Sequence, residues 1–256
     1  MELNLGLSFV VGAVVGVSAA LLGIFIVLYR LSLAGDALSH VALPGIGIAV
    51  LVGISPTIGA IVFLFAGVIS IIMIERYTTL PIDAIVGVFF TTSLAIGALL
   101  APSSEELLES LFGEITGISA INAILGIFFG LVVIALTLYK YKDFTRLTLS
   151  TDFAQSEGQS VESSEFALLL LLTVMIAIGI KIVGILLLGA LIIIPPAAAK
   201  NIGRSLRTVT ILAVSIGFIA VIVGMVLANF LDLQPGPMIV LTNTAFFILS
   251  LIIRRS

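Results

Sequence analysis

Up to nine apolar stretches follow one another along this 256-residue chain and leave little sequence between them. A helix needs about 20 mostly apolar residues to cross a bilayer. The stretches are continuously apolar, whereas the strands of a membrane β-barrel alternate between apolar and polar residues. The sequence therefore predicts an all-α, polytopic membrane protein. The stretches lie at 6–29, 37–53, 56–74, 82–101, 118–139, 166–180, 182–199, 208–231 and 237–253.

Two residues leave the number of spanning helices at eight or nine. Lys181 and Gly184 interrupt the run between 166 and 199, which fits two short helices or one broken helix. Only 10% of the chain is charged, against about 25% in soluble domains, so a soluble enzyme, a nucleic-acid-binding protein and a disordered chain are excluded. We expect residues 1–256 to form a single transmembrane domain surrounded by lipid, with no nucleic-acid partner.

The basic residues predict the orientation in the membrane. Lys and Arg near the ends of spanning helices concentrate on the cytoplasmic side. With nine spans and the N-terminus outside, ten of the eleven basic residues face the cytoplasm, and Lys181 is the exception. This topology places the C-terminus inside and the acidic loop 103–114 outside.

Two potential metal ligands lie four positions apart in LSLAGDALSHVALPG, residues 31–45. Asp36 and His40 share one face of a helix at this spacing, and carboxylate and imidazole suit Zn²⁺, Mn²⁺ or Fe²⁺. Zinc takes about four ligands, so two copies facing each other would complete a site within a homodimeric pore. The alternative is structural: Asp36 caps the helix and His40 bonds to a neighbouring helix. Pro44 and Gly45 follow within about one turn and loosen this helix.

A second proline-containing segment, VGILLLGALIIIPPAAA at 183–199, ends another apolar stretch. Pro195 and Pro196 each remove a backbone donor and bend the chain. Two interpretations stay open, a kinked packing helix and an element of a gate.

The longest polar stretch covers residues 140–165 and lies inside on the predicted topology. Ser150 or Thr151 can cap a short helix at 151–156, and Gly158 can end it. The stretch is either a solvated loop or a docking surface for a cytoplasmic partner. No G-x-x-x-x-G-K-[ST] phosphate loop occurs in the chain, so we expect any ATP hydrolysis to come from a separate subunit.

Four segments in this order resemble the integral membrane permeases of ABC importers for zinc, manganese and iron(II). Residues 31–45, together with Arg30, resemble the family signature R-x-S-L-x-G-D-A-x-S-H-x-x-L-P-G, and 183–199 resembles its V-G-x-L-L-x-x-A-L-L-I-I-P-A-A segment. Residues 82–100 and 232–241 are similar to two further motifs. The resemblance covers essentially the whole chain. Where the family often has a proline shortly after Gly158, this chain has Gln159 and Ser160.

The resemblance implies the permease fold of a metal-ion ABC importer, in the plasma membrane of a prokaryote. The implied partners are two copies of an ABC ATPase, an extracellular metal-binding protein and a second copy of this chain. The cargo is a divalent metal ion, with no covalently bound cofactor and no enzymatic activity in the chain itself. The implied roles are metal contact for Asp36 and His40, ATPase coupling through 140–165 for Asp152, Phe153, Ala154 and Gly158, and gating for Pro44, Gly45, Pro195 and Pro196.

Two other functions would use the same residues in different ways or require residues of other kinds. A gradient-driven secondary cation transporter would use Asp36 and His40 as a proton relay, and it predicts an inverted internal repeat that the sequence does not display. An intramembrane hydrolase needs a nucleophile with its base or a full set of metal ligands. One His and no Cys supply neither.

Overall fold

The computed structural model describes residues 2–78, 82–100 and 118–254, except for the side chains of 2–5, Leu33, Asp36, Asp83, Ala98, Lys181, Ile185 and Arg254. The predicted acidic loop 103–114 lies outside these ranges. Eleven helices and no strands occur in the described part. They are α1 (Glu2–Leu28), α2 (Ser32–Val52), α3 (Pro56–Tyr77), α4 (Ile82–Leu100), α5 (Ala120–Tyr139), α6 (Tyr141–Leu149), α7 (Thr151–Ser156), α8 (Val161–Val183), α9 (Ile185–Ile202), α10 (Leu206–Leu231) and α11 (Pro235–Arg254).

Nine of these helices correspond to the nine predicted apolar stretches. Within the described ranges, six are long and apolar enough to cross a bilayer, namely α1, α3, α5, α8, α10 and α11. The other three, α2, α4 and α9, contain shorter apolar stretches. The prediction of an all-helical, multi-span chain is therefore confirmed. The uncertain run at 166–199 forms two helices, and α8 begins earlier than its apolar stretch because the Ser160 side chain accepts a hydrogen bond from the Ser163 amide.

A single residue reverses the chain between α8 and α9. Gly184 has a φ of +80°, a conformation that side chains disfavour and glycine adopts freely. Gly179, about one turn before it, packs against Leu188, one turn after it, and a Cβ at Gly179 would lie 2.6 Å from Leu188 Cδ2. The two helices are therefore antiparallel neighbours with almost no loop between them.

Small residues let the central helices approach closely, as they do in membrane bundles generally. Gly23 of α1 meets the backbone carbonyl of Ile192 in α9 without room for a side chain. Gly45 of α2 and Gly59 of α3 face each other in the same way. The Ile192 side chain also lies beside Gly35 of α2, where a Cβ would be 3.7 Å from its Cγ2. Helix α9 therefore lies between α1 and α2, and α2 is held from two sides.

One end of the bundle collects the polar contacts between helices. There, Arg76 at the end of α3 pairs with Glu162 at the start of α8, at 2.9 Å. Asn201 near the end of α9 donates to Ser250 near the end of α11, at 3.0 Å. Tyr141 at the start of α6 lies 2.9 Å from Thr210 of α10, hydroxyl to hydroxyl. Successive spanning helices run in opposite directions, so the end of one helix lies beside the start of the next at the same side of the bundle. These contacts fit that alternating order. We call this end of the bundle the polar end.

Candidate functional site

Helix α2 carries the two predicted metal ligands near its beginning, which lies at the polar end. The helix runs without a break from Ser32 to Val52, so position 36 lies about one turn, or roughly 6 Å of rise, before His40. The helical spacing predicted for this pair is confirmed. The side chain of Asp36 lies outside the described part of the structure, so its contacts stay a prediction.

His40 occupies a partly open position in the first half of α2, where most described side chains are buried. Among the described side chains of residues 31–45, Ser32 and His40 alone keep part of their surface exposed. The neighbouring Ser39 is fully buried, and its hydroxyl donates to the Gly35 carbonyl at 2.8 Å. Part of the His40 side chain is therefore accessible in the single chain, while its Nδ1 atom is buried. A neutral imidazole nitrogen there can coordinate a transition metal or carry a proton.

The His40 ring is oriented by an aromatic contact with α4. Its centroid lies 5.0 Å from that of Phe90, with the two planes at 83°, an edge-to-face arrangement. Such pairs are worth about 0.5–1.5 kcal/mol beyond the area they bury. This contact was not predicted, because Phe90 lies fifty positions away and its motif was identified only through its resemblance to a family segment.

A cavity of about 340 Å³ lies between α2, α3 and α4, and α2 contributes Val41 and Pro44 to its wall. Three hydroxyl side chains, Ser70, Thr92 and Ser93, interrupt walls that are otherwise apolar. Hard cations require many oxygen ligands, so these walls alone are a poor site for a bare ion. Across the described residues, no group of three or more His, Cys, Asp or Glu side chains lies close enough to hold a metal. The described part of one chain therefore does not complete a coordination shell.

The predicted kink residues lie inside continuous helices. Pro44 is within α2, and Pro195 and Pro196 are within α9 and buried. Gly45 follows Pro44 at the close contact with Gly59 described above. The prolines remove hydrogen bonds at these positions without ending the helices. Their role as a gate stays a prediction.

The polar segment 140–165 forms two helices and the first turn of α8. The predicted short helix is confirmed as α7: the Ser150 hydroxyl accepts a hydrogen bond from the Phe153 amide at 3.4 Å, and Gly158 ends the segment with a φ of +75°. Asp152 and Phe153 are exposed, whereas Ala154 is fully buried. An exposed phenylalanine beside an acidic residue is the kind of group that anchors a protein partner.

Helix α6, which the sequence analysis did not predict, connects this segment to the bundle. The ring of Phe144, fully buried, has its centroid 5.4 Å from that of Phe25 in α1. Tyr141 packs edge-on against the same Phe25 at 5.3 Å, and its hydroxyl reaches Thr210 of α10. The pair Phe25 and Phe144 thereby packs α6 directly against α1.

A second polar cluster joins α8 to α1 and α3 at the polar end. The half-buried Tyr29 donates a hydrogen bond from its hydroxyl to Glu165. Burial, followed by the bond to Glu165, raises the pKa of Tyr29 above its usual value, so the phenol keeps its proton. A cavity of about 210 Å³ lies between α3 and α8 beside Glu75, Arg76 and Glu165. These partners are too far apart in the sequence to be identified from local pattern.

Comparisons with known proteins agree over nearly the whole chain. Residues 4–254 match the ABC 3 transport family. The manganese import system permease protein ScaB of Streptococcus parasanguinis is 33% identical over 242 residues, covering 93% of this chain and 86% of the relative. The high-affinity zinc uptake system membrane protein ZnuB of Haemophilus influenzae is 30% identical over 250 residues, covering 95% of each.

A solved structure is similar in fold as well as in sequence. A chain in the structure of PsaBC from Streptococcus pneumoniae in complex with Fab superposes with a TM-score of 0.82 at 30% identity. The superposition covers 95% of this chain and 89% of that chain. The helical arrangement described above therefore recurs in an independently solved structure of a related protein.

Proposed function

The chain belongs to the ABC 3 transport family, and from that premise we propose that it is the permease subunit of an ATP-driven importer for a divalent transition metal ion, manganese, zinc or iron. The permease would switch between conformations open to either side of the membrane. A separate ATPase would drive the switch, since the chain has no phosphate loop. The metal ion is the cargo and the chain catalyses no covalent step.

The observation that carries the metal assignment is the partial exposure of His40. Among the described side chains of residues 31–45, only Ser32 and His40 are partly exposed, so the imidazole is accessible on a stretch of helix that is otherwise packed against its neighbours. Ionisable groups within the helix bundle of a membrane protein are costly, and they commonly mark an ion pathway. Asp36, one turn earlier, adds a carboxylate on the same helical face. We propose that these two residues contact the transported ion.

Two copies of the chain fit this site better than one. An aspartate and a histidine supply two ligands where zinc usually takes about four. The described residues contain no group of three or more His, Cys, Asp or Glu side chains that could hold a metal ion. A two-fold axis beside α2 would bring a second pair to the same point, as symmetric dimers do. The accessible part of His40 would then face the pore between subunits.

The polar end is proposed as the cytoplasmic end, with the N-terminus outside and the C-terminus inside. Arg76, Lys140, Arg146 and Lys200 lie at helix ends on this side, as the excess of basic residues in cytoplasmic loops predicts. Two ATPase copies would contact α7 through Asp152 and Phe153. A metal-binding protein would deliver the ion at the opposite end. The membrane is then the plasma membrane of a prokaryote.

Metal uptake by the reconstituted complex tests the proposal. The permease and its ATPase, placed together in liposomes, should accumulate manganese, zinc or iron only when ATP and the delivery protein are supplied. Asp36→Ala and His40→Ala should each abolish uptake while the ATPase still co-purifies. Ser39→Ala is the matched control, because Ser39 neighbours His40 but is buried and bonded to its own helix. Normal uptake by both site variants would contradict the metal assignment, and uptake driven by an ion gradient without ATP would indicate a secondary transporter.

A further inference from the structure

The side chain of Gln159 joins the three cytoplasmic elements α6, α7 and α8. It follows Gly158, directly after α7, and its carboxamide is partly buried. The Nε2 group donates to the Asp143 carbonyl of α6 at 3.0 Å. The same group donates to the Ser164 hydroxyl of α8 at 2.7 Å. One side chain therefore bonds to the helix before α7 and to the helix after it.

The backbone around Gln159 fixes this side chain in place. The Gln159 amide donates to the Ala154 carbonyl at 3.0 Å, and the Gly158 amide donates to the Gln155 carbonyl at 2.9 Å. With Gly158 in the left-handed conformation, this pair of bonds is the Schellman ending of a helix. Any rotation of α7 is thus transferred to Gln159, since the residue is bonded to the last turn of that helix.

Both partners of Gln159 are themselves attached to the transmembrane bundle. Asp143 neighbours Phe144, whose ring packs on Phe25 of α1. Ser164 is 4% exposed, and its hydroxyl donates to the Ser160 carbonyl at 3.1 Å. The adjacent Glu165 accepts the hydrogen bond from Tyr29. A displacement of α7 therefore has two routes into the bundle, and both begin at the Gln159 carboxamide.

Surface charges are a weaker connection between the same elements. Arg146 of α6 lies 3.9 Å from Glu157, and both side chains are more than a third exposed. Exposed pairs of this kind contribute about 0–1 kcal/mol and are screened by salt. The two hydrogen bonds of Gln159 are shorter and less exposed. They form the tighter of the two connections in this part of the structure.

From these contacts we infer that Gln159 is a positioning residue for energy coupling: it transmits movement of the ATPase-contacting helix α7 to α6 and α8. This inference rests on the proposed function of the chain. Gln159 touches neither the ATPase nor the metal in this assignment. Its loss should leave ATPase binding intact and reduce the metal transported per ATP hydrolysed.

Gln159→Met tests the inference, because methionine keeps the length of the side chain and removes both N–H donors. In liposomes containing the permease, the ATPase and the delivery protein, the variant should bind the ATPase normally and hydrolyse ATP, while metal uptake per ATP falls several-fold. Gln155→Met is the matched control, since Gln155 belongs to α7 and is exposed. An unchanged ratio of uptake to hydrolysis in Gln159→Met would overturn the inference. Loss of ATPase binding would also overturn it, by placing Gln159 in the docking surface itself.

Amide hydrogen exchange supplies a second measurement that needs no transport. In the isolated permease, Gln159→Met should speed exchange in α7 and in the first turn of α8 by about two- to tenfold, the effect expected from losing one or two hydrogen bonds. Gln155→Met should not. Unchanged exchange in Gln159→Met would overturn the proposed connection of α6, α7 and α8 through Gln159, whichever ion the permease transports. Failure of the unmodified complex to transport any metal would instead count against the proposed function, and the exchange result would still decide whether Gln159 joins the helices.

Discussion

The Arg76 guanidinium lies 2.9 Å from the Glu162 carboxylate, joining the last turn of α3 to the first turn of α8. Each charge suits the helix end that carries it, since cations are favourable near a C-terminus and anions near an N-terminus. Both side chains are more than half exposed, at 58% and 72%. The ion pair shows which helix ends are neighbours. Because both side chains are exposed to water, it contributes little to the stability of the fold.

Arg76→Ala should therefore lower the free energy of unfolding by no more than about 1 kcal/mol, as for other exposed ion pairs. Thermal unfolding of the permease in detergent, with and without added salt, measures this. The small difference should shrink further at high salt. A loss of several kcal/mol would mean that the pair is shielded from water in the assembled protein.

Tyr29→Phe should cost more, about 1–3 kcal/mol, because the deleted hydroxyl donates to a charged carboxylate in a half-buried position. Its pH dependence follows from the raised pKa of Tyr29. A group whose pKa is higher in the folded state contributes its full stability below the unfolded value of 10.0 and loses that contribution as pH rises through the folded value. The difference between Tyr29→Phe and the parent should thus stay constant from neutral pH to about 9 and shrink above 10.

Unfolding curves at several pH values check this second prediction. Tyr139→Phe is the control, because Tyr139 is 81% exposed. A difference that varies between pH 6 and 9 would place the responsible titrating group elsewhere.

Gly23→Ala should destabilise the bundle by about 1–3 kcal/mol, since the added methyl group meets the Ile192 carbonyl and forces α1 and α9 apart. Gly87→Ala is the matched control. A Cβ at Gly87 has no neighbour within 4 Å, and alanine is the better helix former by up to about 1 kcal/mol. Thermal stability in detergent should fall for the first variant and stay or rise for the second. Equal stability of both would show that α9 adjusts its position freely.

Phe90→Leu should weaken metal uptake by about two- to tenfold, the range expected when the edge-to-face contact with His40 is lost. Uptake at limiting metal concentration is the sensitive measurement, because a misplaced imidazole lowers affinity first. Phe128→Leu provides the comparison, since Phe128 is 58% exposed and, among the described rings, contacts only that of Phe129, edge to face. Wild-type uptake by Phe90→Leu would mean that other groups orient His40.

Phe153→Ala should reduce the ATPase recovered with the permease by about tenfold or more, as truncating a central aromatic contact commonly does. Phe153 keeps 45% of its surface exposed in the single chain, so the substitution leaves the permease fold largely intact. Leu149→Ala, at a position 71% exposed on α6, is the control. If the two variants recover equal ATPase, the docking surface lies elsewhere on the polar end.

The sequence was sufficient where the determining interactions are local. Apolar length predicted the spanning helices, and the Ser150 cap with Gly158 predicted α7, because both signals act within a few residues. The shared helical face of Asp36 and His40 was likewise predictable, because any two residues four positions apart in a helix lie on the same face. The sequence was insufficient for α6, whose buried face is completed by Phe25 of a distant helix.

The supporting contacts of the candidate site were beyond the sequence for a related reason. Phe90 orients His40 across fifty positions, and Tyr29 reaches Glu165 across 136. Gln159 bonds partly to a backbone carbonyl, which every residue type possesses and which no side-chain pattern reveals. Such contacts depend on how helices are arranged, and the arrangement is set by close packing at residues such as Gly23.

The reversal at Gly184 restricts how the permease can change shape. One residue spans at most about 3.5 Å, so the ends of α8 and α9 that meet there stay together in every conformation. Relative movement of these two helices must then be a pivoting motion about that joint, with its amplitude growing along their length. The largest displacement falls at the far ends, where Gln159 and Lys200 lie close to the proposed ATPase side. A small angular change produced by ATP binding would thus displace the helix ends most on the ATPase side, where the force is applied. The displacement would be smallest at the entrance for the metal.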